Sequence, residues 1–259
     1  MASPHHLASE AGAEVLRAGG TAADAAVAAN AVLCVVYPHM TSVGGDLFAL
    51  VWPAGGTQPE GLAGAGRSGA SASVAAVRAQ GHETMPETGA LTVTVPGTVQ
   101  AWGLLIERFG RMGLRPLLQP AAQLAREGWI VSPGLAAALA SSAGWLLREP
   151  EAARLLPPLK AGMLLRNQDL ADTLEEIGRN GWLPFYRGRI AEAIVAAVAG
   201  RGGFLGADDL ALHRCEWVVP VAFPYRDLTV YELPPPTQGL AAAGLMRRLE
   251  AVPKAPGPE

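Results

Sequence analysis

Apolar positions near the start of the chain recur at helical spacing. Leu7, Ala8, Ala11, Val15 and Leu16 fall on one face with Glu10, Glu14 and Arg17 off it, which predicts an amphipathic helix. Ser3-Pro4 reads as its N-cap and first-turn proline, and Gly19-Gly20 as its stop. Thr21 with Asp24 three residues later resembles a capping box. The run from Ala22 to Val36 behind it is apolar on every side until Pro38 breaks it. A helix of that kind belongs in the centre of a fold.

The pattern then changes period. Residues Asp46 to Trp52 are bulky and apolar at both parities, which predicts a strand covered on both faces by layers of helix. Leu91 to Val95 alternates and stops at Pro96-Gly97, after which Val99, Trp102, Leu105, Ile106 and Phe109 return to helical spacing. This predicts a strand followed by an amphipathic helix. A largely helical insert is expected over about 119–200, with starts and stops at Pro120, Ser132-Pro133, Asn167 and Asn180-Gly181 and a linker from Glu149 to Pro158. Trp217 to Val221 and Leu228 to Leu233 read as two strands joined by a turn at Pro224 to Asp227. A last helix follows from about Thr237, and Pro253 to Glu259 reads as a frayed tail.

Composition narrows the function classes. The 259 residues are 50% apolar, too high a share for intrinsic disorder, and 20 basic against 23 acidic side chains show no basic cluster. Nucleic acid is therefore not an expected partner. Cys34 and Cys215 lack metal-ligand or disulfide spacing. No apolar run reaches membrane-spanning length uninterrupted, and the start lacks the basic and apolar regions of a secretory signal, so a cytoplasmic protein is expected with no membrane association.

Chemistry-bearing patterns are few. Gly64 to Gly69 matches GxGxxG, but the preceding Thr57 to Ala63 carries Pro59, Glu60 and Gly61 where a dinucleotide site needs an apolar strand. A dinucleotide-dependent oxidoreductase is thus ranked below a plain loop. The GxSxG, HExxH, Walker A and EF-hand patterns are absent, and the five histidines read as surface or cap residues without a visible acid–base partner. What remains is Arg67, a lone cation in the glycine-rich loop GLAGAGRSGAS. Its planar guanidinium suits two-pronged capture of a carboxylate, although composition alone would make it a solvated loop arginine.

Residues 19 to 52, GGTAADAAVAANAVLCVVYPHMTSVGGDLFALVW, closely resemble the signature of the γ-glutamyltranspeptidase family, and further matches follow in order. These are LTVTVPGTVQAWGLLIERFGR (91 to 111), AAQLAREGWIVSP (121 to 133), FYRGRIAEAI (185 to 194) and YELPPPTQG (231 to 239). The resemblance covers nearly the whole chain and implies an N-terminal-nucleophile hydrolase fold, a four-layer αββα sandwich. It implies transfer of γ-glutamyl groups from glutathione and related compounds to water or an acceptor, without metal or cofactor. The nucleophile it implies is the N-terminal threonine of a small subunit released by self-cleavage, with its own amine as general base.

On that resemblance the chain is the large-subunit region over residues 1–259, truncated at both ends, and the sandwich is incomplete because the small-subunit strands are absent. The polypeptide is expected to be inactive and poorly soluble by itself, with a small catalytic subunit as partner. No residue of this chain is expected to be catalytic. Arg67 matches the arginine that grips the donor α-carboxylate. Ser68-Gly69-Ala70 lacks the family's usual proline, so a looser loop is expected there. Gly44-Gly45-Asp46 and Pro235-Pro236-Thr237 read as structural walls. The rival reading is a non-catalytic fragment or scaffold that keeps the fold alone.

Overall fold

The computed structural model describes residues 1–250 and 252; the expected tail from Pro253 onward lies outside the described residues. The chain is a helix-rich mixed α/β structure. Its elements run α1 (His6–Arg17), α2 (Ala22–Val36), β1 (Leu47–Val51), β2 (Glu60–Gly64), α3 (Val74–Ala79), α4 (Thr98–Phe109), α5 (Leu114–Glu127), β3 (Trp129–Ile130) and α6 (Pro133–Leu146). They continue with α7 (Pro150–Leu155), β4 (Leu164–Leu165), α8 (Gln168–Asn180), α9 (Leu183–Arg187), α10 (Arg189–Ala199) and α11 (Ala207–Ala211). Strands β5 (Glu216–Val218), β6 (Val221–Tyr225) and β7 (Leu228–Glu232) precede α12 (Gly239–Glu250).

Helix α2 is the hub. Its small apolar residues, among them Ala28, Ala31 and Val32, are fully buried, and α1, α4 and α5 pack around it. The capping box forms as read: the Thr21 N–H donates to Asp24 Oδ2 at 2.7 Å and the Asp24 N–H to Thr21 Oγ1 at 3.2 Å. Asp24 also accepts the N–H groups of Arg111 and Met112, so one carboxylate joins the start of α2 to the turn between α4 and α5. Trp102, fully buried on α4, donates its indole N–H to Asn30 Oδ1 at 2.8 Å and fastens the same two helices further along.

Strands β1, β2 and β5 form an antiparallel sheet in the order β1-β2-β5, with Leu47 opposite Gly64 and Ala63 opposite Glu216. Leu47, Ala49 and Val51 face the helical core, against which α4 lies. The alternate residues do not. Phe48 and Leu50 are 40% and 42% exposed, which corrects the expectation of a strand covered on both faces: both parities are apolar, but only one face meets helix. The β6–β7 hairpin touches this outer face through Tyr231, whose ring meets Trp52 edge-on at 5.7 Å.

Other differences have local causes. Ser3 is not the cap of α1; the cap is His5, whose Nδ1 accepts the Leu7 N–H, while Ser3 Oγ donates to His5 O. Leu91 to Val95 is not a strand. Ala90–Thr92 is a 3₁₀ turn, and the Val95 N–H donates singly to Arg67 O with no ladder beside it. Pro120 lies inside α5 rather than at a boundary, the bond it cannot give being the one to residue 116 four positions back. The expected linker contains α7, held by Arg154 between Glu151 and Asp169. Ser132, Asn167 and Gly181 do cap or end helices as read. The strand expected at Trp217 to Val221 divides at Pro220, β5 pairing with β2 and β6 with β7.

Candidate active site

The loop leaving β2 carries Arg67, and its main chain is tied on both sides of that residue. The Gly66 N–H donates to Asp46 Oδ1 at 2.9 Å, and Arg67 O accepts the Val95 N–H at 2.9 Å. Further along, the Ala70 N–H donates to Asp209 Oδ1 and Ser71 Oγ to Phe204 O, each at 2.9 Å. Glycine is required by close approach: a Cβ on Gly66 would lie 1.6 Å from Val95 O, and one on Gly69 2.0 Å from Phe204 O. The expectation of a looser loop is therefore corrected. Hydrogen bonds from distant segments hold the loop without a local proline.

Asp46 holds the loop from below and is itself placed by its neighbours. Thr98 Oγ1 donates to Gly45 O at 2.9 Å and to Asp46 O at 3.2 Å, and Gly45 O also accepts the N–H groups of Gly97 and Thr98. Asp46 thus contacts the Arg67 loop directly, beyond the wall role read from its motif. Beside it lies a pocket of about 310 Å³ lined by Asn30, His39, Thr41, Ser42, Asp46 and Thr98. Burial depresses the His39 pKa, and His39 Nδ1 has no hydrogen-bond partner among the described residues.

The Arg67 side chain projects into solvent and lies 3.6 Å from Glu216 at the start of β5. Sequence reasoning did not single out Glu216. Its only signal is the strand that begins with it, because the register that brings it to Arg67 is set by the β2–β5 pairing.

Behind Glu216 lies a polar network that the sequence reading also missed. Tyr186 OH donates to Pro96 O at 2.8 Å and accepts the Gln100 N–H at 3.0 Å, and its ring stacks on His213 with centroids 5.4 Å apart. Gln100 Oε1 accepts the Cys215 N–H, and His213 Nε2 lies 3.5 Å from Cys215 Sγ. Burial pushes the Cys215 thiol up to about 12, so it is a neutral packing group and no nucleophile. The network anchors the segment before β5 to α4 and to the 95–97 turn that also holds Arg67.

Burial is also the main reason the His213 pKa falls below its ordinary 6.5, with Arg214 and Arg67 acting in the same direction and Asp46 against it. A histidine kept neutral by the fold contributes stability above its unfolded pKa, and that contribution is lost as pH falls through the lower folded value. Relative to His213→Phe, which keeps the stack on Tyr186, the wild-type thermal midpoint is expected to drop more steeply between pH 7.5 and 5.5. Parallel curves would show that His213 does not charge on unfolding.

The GxGxxG match is preceded by a strand after all, since β2 covers Glu60–Gly64. That strand is antiparallel to both neighbours, and α3 does not start until Val74, so no helix N-terminus follows the turn to meet a pyrophosphate. Among the described residues, no three of His, Cys, Asp or Glu gather as metal ligands.

Comparison with known proteins gives a consistent pattern. The family described as Gamma-glutamyltranspeptidase matches residues 8–257. A glutathione hydrolase-like YwrD proenzyme of Bacillus subtilis is 35% identical over 256 residues, covering 96% of this chain and 48% of the relative. The Helicobacter pylori γ-glutamyltranspeptidase structure superposes with a TM-score of 0.90 at 31% identity, over 97% of this chain and 74% of that one. A cephalosporin acylase from Bacillus halodurans superposes with a TM-score of 0.90 at 37% identity, over 95% and 48%. The chain spans about half the length of the curated relatives it matches.

Proposed function

The chain belongs to the γ-glutamyltranspeptidase family, and from that premise we propose that it supplies the donor-anchoring part of an enzyme that hydrolyses or transfers γ-glutamyl groups of glutathione-like compounds. The observation that carries this reading is the fixed main chain around Arg67. An exposed guanidinium on a tethered backbone presents its planar fork from a constant origin, which two-pronged capture of a carboxylate requires. Gripping the α-carboxylate of a γ-glutamyl donor there sets how far along the side chain the reacting γ-carbonyl lies. The gain is positional, since a small misplacement of the reacting carbonyl is costly.

The chemistry itself is assigned to a partner. By family resemblance the attacking group is the N-terminal threonine of a small subunit, whose hydroxyl adds to the γ-carbonyl while its own amine takes the proton. The outer face of β1 supports such a partner: Phe48, Leu50 and Trp52 form a row of exposed large apolar side chains that a second sheet would cover, completing the four-layer αββα sandwich. Residues 1–259 purified alone are expected to release no p-nitroaniline from γ-glutamyl-p-nitroanilide, and addition of a small subunit of the family is expected to restore release. Turnover by the pure chain would defeat this division of labour. A stable complex without turnover would favour the scaffold reading instead.

A further inference from the structure

We infer that Asp209 is a positioning residue that aligns Arg67 for the donor, its carboxylate tying the first turn of α11 to the loop that carries the guanidinium. The inference rests on the reading of Arg67 given above and goes beyond it by naming a side chain that works through the loop backbone rather than on the donor. Alignment needs such a device. The Arg67 side chain is 86% exposed, so neighbouring side chains confine it little and its origin must be set through the main chain.

The two oxygens of Asp209 divide the task. Oδ2 accepts the Gly206 N–H at 2.8 Å, which closes the start of α11 within three residues. Oδ1 accepts the Ala70 N–H at 2.9 Å, three positions beyond Arg67. The local bond fixes how the carboxylate is turned, and the long-range bond passes that orientation to the loop. Helix α11 is itself a firm support, since Leu210 beside Asp209 is fully buried and the helix packs on α9 and α10. A carboxylate also holds a backbone N–H more strongly than a neutral carbonyl does.

Asp209 belongs to a seam between the outgoing side of the loop and the segment from 202 to 209. Ser71 Oγ donates to Phe204 O and Gln80 Nε2 to Gly202 O, each at 2.9 Å, and a Cβ on Gly69 would lie 2.0 Å from Phe204 O. On the incoming side Asp46 takes the Gly66 N–H, and Val95 gives its N–H to Arg67 O. Arg67 is thus suspended between two sets of ties. The Ala70 bond is the first long-range hydrogen bond after it, so losing that bond frees the main chain next to the guanidinium while the contacts at Ser71 and Gln80 remain.

The test uses the chain assembled with a small subunit of the family, with Asp208→Ala as the control, since among the described residues that neighbouring acid of α11 has no side-chain hydrogen bond or ion pair. Asp209→Ala is expected to lower kcat/KM for γ-glutamyl-p-nitroanilide about tenfold, the size of one hydrogen bond to a charged group. When Arg67 is already alanine, the same change is expected to cost less than about twofold, because the fork it aligns is gone. Asp209→Asn, which keeps one acceptor oxygen, is expected to lie between wild type and Asp209→Ala. Hydrogen exchange of the peptide spanning residues 66–72 is expected to quicken in Asp209→Ala and stay level in Asp208→Ala. A merely structural role would instead lower kcat/KM by the same factor with and without Arg67. Equal factors, unchanged kinetics or exchange in Asp209→Ala, or the same loss in Asp208→Ala each overturn the inference. If Arg67→Ala alone leaves kcat/KM unchanged, the fault lies with the anchor reading itself, which is a distinguishable outcome.

Discussion

Replacement of Asp24 by alanine is expected to lower the thermal midpoint by roughly 6–12 °C. The carboxylate is fully buried and accepts the backbone N–H groups of Thr21, Arg111 and Met112 as well as the Thr21 hydroxyl. Removing it leaves three backbone donors without their acceptor at the junction of α2, α4 and α5. At about 1 kcal/mol or more for each, the loss is on the order of 3 kcal/mol, which for a chain of this size corresponds to the stated shift. Burial alone would raise the Asp24 carboxyl, but the bonds from Thr21, Arg111 and Met112 outweigh it and hold the group below its ordinary 3.8. The contribution is therefore complete above pH 3.8 and fades as pH falls through the lower folded value. Thermal melts of wild type and Asp24→Ala at pH 7 and pH 3 check both parts. A midpoint at pH 7 within about 2 °C of wild type would show that water replaces the carboxylate at little cost.

The largest effect on activity is expected at Arg67. In the assembled enzyme Arg67→Ala is expected to reduce kcat/KM about 30-fold or more, because it removes both prongs of a charge-assisted contact to the donor carboxylate. Arg67→Lys keeps the charge but loses the fork, so its KM is expected to lie between wild type and Arg67→Ala. Gly66→Ala provides a separate check on the frame. Its methyl group has no room beside Val95 O, so the main chain must shift and carry an unaltered Arg67 with it. A reduction in kcat/KM comparable to Arg67→Ala is expected, and wild-type kinetics in Gly66→Ala would show that the tethers do not matter to the site.

What could be read from the sequence was what short-range bonds decide. The Thr21–Asp24 box and the caps at Ser132 and Asn167 close within three residues, and α2 announces its central place by being apolar all round. The errors share one cause. Leu91 to Val95 has the alternation of a strand, yet a strand needs a neighbour, and its last N–H goes to Arg67 O instead. The two apolar parities of β1 gave no means of telling helix cover from an open face.

The candidate site was legible only in part, for the same reason. Arg67 stood out by its glycine-rich surroundings and by resemblance. The bonds that steady its loop reach 20 residues to Asp46 and 139 residues to Asp209. Glu216 and the His213–Cys215 contact depend on the β2–β5 register and on Tyr186 reaching Gln100, none of which has a local signature.

The close approaches of Gly66 to Val95 and of Gly97 to Gly64, where a Cβ would lie 1.8 Å from the Gly64 carbonyl, constrain how such a pocket can diversify. Those positions admit almost no mutation without moving the scaffold, whereas the exposed Glu216 side chain has room to change. Sequence change is thereby channelled into exposed side chains, and the geometry of the loop backbone can outlast many of them.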